Sequence, residues 1–204
     1  MPVKNLVILA NSYKHQGRCV AGKDINTHEW VRAVSDAQGA EVMLDRCTYE
    51  NIGGTQQLRT KKVLSIDFSV ASPLAHQPEN YIVTDVPWVQ SPPYIRNDLT
   101  PYLDSPVDLW GVSNFVPFQD ILNSQVTIGQ SLYLVQVTNL RLYVNTFDRL
   151  RCEFSYSANI YDLPATDPWF NSLMNQGRSG DAILCVSLGE PYQGNCYKIV
   201  ASIF

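Results

Sequence analysis

Eight consecutive residues, Asn11 to Arg18 in the order NSYKHQGR, hold the donor types that a phosphate or carboxylate ligand uses. Arg18 offers a planar guanidinium fork and Lys14 a mobile charge, while Asn11, Ser12 and His15 add shorter hydrogen-bonding groups. An apolar run, VILA, leads straight into them, so the donors gather where a strand ends, and loops at strand ends are where a rigid scaffold usually carries binding groups. Gly17 permits a tight turn before Arg18 enters a second strand. The same composition also suits an ordinary solvated hairpin, because turns are commonly polar. Further along, Trp30 and Arg32 are two residues apart and so share one face of a strand, where an aromatic plane beside a guanidinium can stack a base. The alternative is that Trp30 packs in the core with Val34 while Arg32 runs past it to solvent.

Two later segments carry candidate acids. In YDLPATDPWF, Asp167 reads first as a turn and cap residue ahead of Pro168, and as a general base only in second place. In SLGEPYQGNCYKIV, Gly189, Pro191 and Gly194 predict a turn that presents Glu190 at its tip, with Tyr192, Tyr197 and Lys198 around it. Glu190 would then read a donor edge or pair with Arg18. The catalytic inventory is otherwise thin: there is no Gly-rich phosphate loop, no GxSxG and no HExxH, and the three histidines are scattered through polar stretches. His28 and His76 read as exposed loop residues. His15 and Cys19 form a base and nucleophile pair only on paper, since a spacing of four places Cys19 inside the apolar run CVAG. No catalytic residue, metal or cofactor is expected.

The 204 residues suffice for one substantial domain or two small ones. Hydrophobic residues are 45% and charged residues 17%, which fits a well-buried globular chain and not a charged disordered tail. The net charge of -4 is unevenly spread: residues 1–62 hold nine Lys/Arg against six Asp/Glu, and the rest holds six against thirteen. A mildly basic first part and an acidic remainder argue against extensive duplex tracking and leave room for one local basic site. The acidic half could instead face a protein partner. Five widely spaced cysteines without a CxxC pair imply neither a disulfide framework nor a zinc site, and they read as reduced thiols in a cytoplasm. No apolar stretch reaches the length of a secretory h-region or a membrane span.

The elements that must position these residues are strands. Runs such as KNLVILANS, GRCVAG, EWVRAVS, KKVLSIDFSVAS, YIVTDVPWV, SLYLVQVTNLRLYV, LRCEFSYSANIYDL, DAILCVSLG and CYKIVASIF are β-branched or alternate with period two, and Gly, Pro, Asn and Asp separate them. Helix is expected only in a turn or two near Thr100 to Asp104, at Pro117 to Asn123 and at Pro168 to Gln176, the last capped by Thr166 or Asp167. The Pro-, Asp- and aromatic-rich middle lacks periodicity and predicts a seam within residues 88–118, dividing the chain into domains over 1–105 and 106–204. Two sets of four or five short strands match two small β-barrels, and one larger sandwich would satisfy the same pattern.

The segments VILANSYKHQGRCVAG, WVRAVS, LPATDPWF and CVSLGEPYQGNCYKIVASI together resemble a prokaryotic family known as the dual OB-containing domain. The resemblance implies an all-β fold of two OB-like barrels packed together with a few short helices. It also implies a nucleic-acid-binding role connected with prokaryotic or phage defence. It carries a binding role onto Asn11, Ser12, Lys14, His15, Arg18, Trp30, Arg32, Asp167, Glu190 and Lys198. Trp30 would stack, Lys14 and Arg18 would hold phosphate, and Asn11, Ser12 and Arg32 would discriminate base edges. Tyr13 and Ala33 depart from the family pattern, at positions where basic or proline-like residues are expected. The function expected is a noncatalytic binder of single-stranded nucleic acid or of a nucleotide. The alternatives are a small protein that captures a nucleotide signal and an enzyme using Asp167 or Glu190.

Overall fold

The computed structural model describes residues 2–204. Its contacts divide the chain into two compact units, one of residues 2–74 and Pro78–Tyr102, the other of Ala75–Gln77 and Leu103–Phe204.

In the first unit the apolar start folds into a long hairpin, β1 (Val3–Lys14) and β2 (Gly17–Asp24), followed by β3 (Trp30–Val34). A two-residue β4 (Val42–Met43) pairs with β2, and a hairpin of β5 (Thr48–Asn51) and β6 (Gly54–Gln57) precedes β7 (Lys62–Ala71), β8 (Asn80–Val83) and β9 (Val89–Ile95). The strands run in the order β1-β2-β3-β8-β7, and β7 returns to pair with β1, which closes a five-stranded barrel. Only the β3–β8 seam of that ring is parallel, with Arg32 opposite Asn80 and Val34 opposite Ile82. A chain that lays its fifth strand beside its third forms a Greek-key barrel of OB type. Leu6, Ile8, Val20, Val31, Leu64, Ile66 and Phe68 fill it.

One irregularity sets the position of the basic segment. The register of β1 on β2 shifts between Ile8 and Ala10, so Leu9 is an extra residue. Because side chains alternate with period two, a one-residue bulge exchanges the inward and outward sets. Leu6 and Ile8 point into the barrel before it, and Asn11 and Tyr13 take the inward side after it, opposite Val20 and Arg18.

The second unit comprises β10 (Phe115–Pro117), α1 (Phe118–Leu122), β11 (Leu132–Val144), β12 (Leu150–Tyr156), β13 (Asn159–Pro164), α2 (Phe170–Asn175), β14 (Ser179–Tyr192) and β15 (Asn195–Ile203). Its sheet runs β10-β15-β14-β11-β12-β13. The neighbour relations of the first barrel recur, but the third and fifth strands of this set, β13 and β15, meet through one parallel bridge, Ala165 to Val200, and the sheet is a half-barrel. Val135, Phe154, Tyr161, Leu163, Leu184, Val186 and Val200 form its core.

The fold is all-β with two short helices, as the strand patterns predict. Three details differ from the sequence reading. The run LRCEFSYSANIYDL is a hairpin and not one strand, turning at Ser157 and Ala158, both in the left-handed region with φ of 47° and 63°. The hairpin β5–β6 escapes pattern reading because β6 is exposed along its whole length and shows no alternation. Within the proline-rich middle, VQSPPYI forms β9, tolerable where a strand is irregular enough to do without the missing donors of Pro92 and Pro93. No helix among the described residues is long and apolar enough to cross a membrane.

Candidate nucleic-acid interface

The β1–β2 hairpin turns at His15 and Gln16, with His15 in the left-handed region at φ 43° and Lys14 opposite Gly17. Gly17 is needed less for this turn than for a close approach: a Cβ on it would lie 2.3 Å from the Val42 carbonyl oxygen, where β4 crosses β2. The tight turn sets Tyr13 opposite Arg18, and directly opposed residues share a face. The Arg18 guanidinium lies 3.9 Å from the centre of the Tyr13 ring, and Tyr13 is 57% exposed. Arg18 Nη1 is buried and has no hydrogen-bond partner. Two positions along the same side, Asn11 donates from Nδ2 to the Leu58 carbonyl at 3.0 Å and leaves its buried Oδ1 without a partner. Burial pushes the nearby Cys47 thiol up to about 12, and the Arg18 charge pulls the other way. The barrel end therefore presents one unmet cationic donor, one unmet acceptor and an exposed aromatic ring.

The other residues of this segment are spoken for differently. Lys14 donates to the Gly39 carbonyl at 3.0 Å and sits 4.0 Å from the Glu41 carboxylate. His15 is exposed at the turn, and Ser12 is buried on the opposite side, beside Cys19. Cys19, in turn, is only half-buried and accepts a contact from Arg32 Nη1 at 2.7 Å.

Trp30 and Arg32 do share a face, but it is enclosed. Trp30 is 6% exposed, with the Lys23 ammonium 5.2 Å from its ring centre, and Arg32 is 3% exposed with its Nε 3.3 Å from Glu79 Oε1. Arg32 thus clamps the β3–β8 seam through an ion pair in which both side chains are buried, and it does not run past Trp30 to solvent. Asp167 likewise holds a seam. Its Oδ1 accepts the Trp169 N–H at 2.7 Å and its Oδ2 accepts the Ile203 N–H at 2.8 Å, tying the segment after β13 to β15. It is not the cap of α2, which starts after Trp169. Burial pushes its carboxyl above the usual range, and the two backbone N–H groups oppose that. Both oxygens are engaged, which leaves Asp167 poorly suited to act as a general base.

Lys198 is fully buried, donating from Nζ to the Gly111 carbonyl at 2.7 Å and to the Ser113 carbonyl, with the Tyr161 ring centre 5.5 Å away. Burial lowers it to about 8, against the pull of Asp108. It latches the segment before β10 onto the barrel. Glu190 is exposed, but it sits in a bulge between Leu188 and Pro191; the turn itself is Gln193 and Gly194. Arg18 belongs to the first unit and Glu190 to the second. His76 is buried with its ring edge-on to Phe118 at 5.5 Å, in contrast to the exposed loop residue expected, while His28 is exposed.

A family model described as the dual OB-containing domain matches residues 4–203. The chain belongs to that family. Comparison with curated proteins gives no match. OB-fold domains generally bind nucleic acids or oligonucleotides, using the outer face of the second and third strands and the loops after the first and fourth. In this dual OB-containing domain the outer face of β2 and β3 is the enclosed surface of Lys23, Trp30 and Arg32, whereas the connection after β1 carries Tyr13 and Arg18. In the second unit, the first two strands, β11 and β12, carry Arg141, Tyr143 and Arg151, each engaged by an acid. Arg141 grips both oxygens of Glu153 at 3.2 and 3.0 Å, and Asp162 takes Arg151 Nε at 3.1 Å and the Tyr143 hydroxyl at 2.8 Å. Tyr13, a departure from the family pattern in sequence, is the aromatic that sequence reasoning passed over. The signal was present: a two-residue turn between Lys14 and Gly17 requires Tyr13 to face Arg18.

Proposed function

We propose that this chain is a noncatalytic binder of single-stranded nucleic acid or of a nucleotide, and that the ligand meets the β1–β2 end of the first barrel. The Arg18 guanidinium stacked on exposed Tyr13, with a buried nitrogen left without a partner, carries this reading. A buried donor without an acceptor is unfavourable by about 1–3 kcal/mol, and a phosphate or base carbonyl would relieve that. The outer surface of Tyr13 supplies a stacking plane, and His15 stands at the turn beside it. A net charge of -4 with one local basic site fits a grip on a short strand and not the coating of a duplex. Family resemblance extends the reading to a sensor in prokaryotic or phage defence.

Fluorescence anisotropy with labelled single-stranded RNA and DNA at low salt tests it. Binding should weaken as salt rises, and Arg18→Ala or Tyr13→Ala should each lower affinity roughly tenfold, the lower range for one stacked base. Absence of binding at low salt, or unchanged affinity in both variants, would remove the reading.

A further inference from the structure

A separate cleft of about 270 Å³ opens in the first unit, where the turn between β2 and β3 meets the segment after β9. The turn is firmly built. Asp24 Oδ1 accepts the N–H groups of Asn26 at 2.9 Å and Thr27 at 3.2 Å, and the Asp24 carbonyl accepts that of His28 at 2.9 Å. These bonds hold His28 in the left-handed region at φ 59°, which is uncommon for a residue other than glycine. Its ring lies 4.7 Å from that of Tyr102 at an angle of 42°. Tyr102 is itself fixed, its carbonyl receiving Lys23 Nζ at 2.8 Å.

Arg96 and Asp98 line the same cleft. The Arg96 backbone N–H is tied to the Lys61 carbonyl at 2.8 Å, while its side-chain Nε is buried without a partner. Asp98 Oδ1 accepts the Thr100 N–H at 2.9 Å, a bond that holds its carboxyl below the usual carboxylate range. Ile25 and Ile95 supply aliphatic surface. The cleft is therefore lined by a ring to stack on, an arginine with an unmet donor and a charged acceptor, in a space slightly smaller than most ligand pockets. Asp98 would repel an isolated phosphate, whereas a heterocycle with acceptor and donor atoms satisfies both side chains.

We propose that this cleft binds a single nucleobase, its ring against His28, which buried Tyr102 backs, its acceptor atom on Arg96 and its N–H group on Asp98. The site shares a ligand class with the Tyr13–Arg18 reading but lies among different residues, so the two fail separately. The full chain, labelled with ¹⁵N, is titrated with the four ribonucleosides and, separately, with inorganic phosphate. At least one nucleoside should shift the Asn97, Asp98 and Tyr102 amides saturably, and phosphate should not. His28→Gly removes the ring and relaxes the left-handed backbone, so it should keep the fold and weaken the nucleoside roughly tenfold. Arg96→Gln should weaken it as well, and Arg18→Ala should leave it unchanged. The proposal falls if no nucleoside shifts these amides up to about 10 mM, if phosphate alone shifts them, if both cleft variants bind as the wild type does, or if Arg18→Ala weakens the nucleoside equally. Oligonucleotide anisotropy reports on Arg18 independently of every one of these outcomes.

Discussion

The two units share strand order, yet they differ in how completely their arginines are matched. On β11 and β12 of the second unit, Arg141 and Arg151 are matched to Glu153 and Asp162, and the buried Lys198 is matched to backbone carbonyls. In the first unit, Arg18 and Arg96 each keep a buried guanidinium nitrogen without a partner. The same fold can thus spend arginine on holding a sheet together or leave a guanidinium nitrogen unmatched. Both units also use an acid at the joint between third and fifth barrel strands: Glu79 with Arg32 in the closed barrel, Asp167 with the Ile203 N–H in the half-barrel.

The largest expected break of this comparison is Arg32→Ala. It removes one partner of a buried ion pair and should destabilise the protein by about 3–5 kcal/mol in urea unfolding. A loss under about 1 kcal/mol would mean that the clamp is not what closes the first barrel.

Next comes the pH dependence of Lys198. Its folded value near 8 lies below the ordinary 10.5 that applies to the unfolded chain, so between those values the unfolded chain binds more protons. Stability must rise as pH climbs through that window, by up to roughly 3 kcal/mol at its upper end. Urea midpoints at a series of pH values should show that rise in the wild type relative to Lys198→Met, because the variant lacks the group. Parallel curves for the two proteins would sink the claim.

Asp167→Asn should have a smaller effect, about 1–3 kcal/mol, through loss of acceptor strength toward Trp169 and Ile203. Faster hydrogen exchange at the Ile203 amide would locate that loss in the half-barrel seam, and unchanged exchange there would contradict it. The smallest effect on stability is expected for Arg18→Ala, within about 0.5 kcal/mol by thermal unfolding, because its unmatched nitrogen contributes little to the fold. A large loss would show that Arg18 holds the barrel end together and would narrow the contrast between units.

Much of the architecture was legible in the residues. Period-two runs from KNLVILANS to CYKIVASIF marked the barrel strands, and Pro117 and Pro168 introduced the two short helices. The candidate site was legible in its location, since donors crowd between Asn11 and Arg18, but not in its membership. Trp30, Arg32, Asp167 and Lys198 have the residue types of a binding surface and are buried, because burial depends on what a strand's second face packs against. Tyr13 looked like a departure and proved to be the exposed ring.

Composition and alternation by themselves determined that this chain is built of strands with a basic hairpin near its start, because β-branched periodicity and turn residues act locally. Tertiary structure alone decided which side of that hairpin faces inward. A single extra residue at Leu9 exchanges the two faces of β1, and only pairing with β2 and closure against β7 fix where that bulge falls.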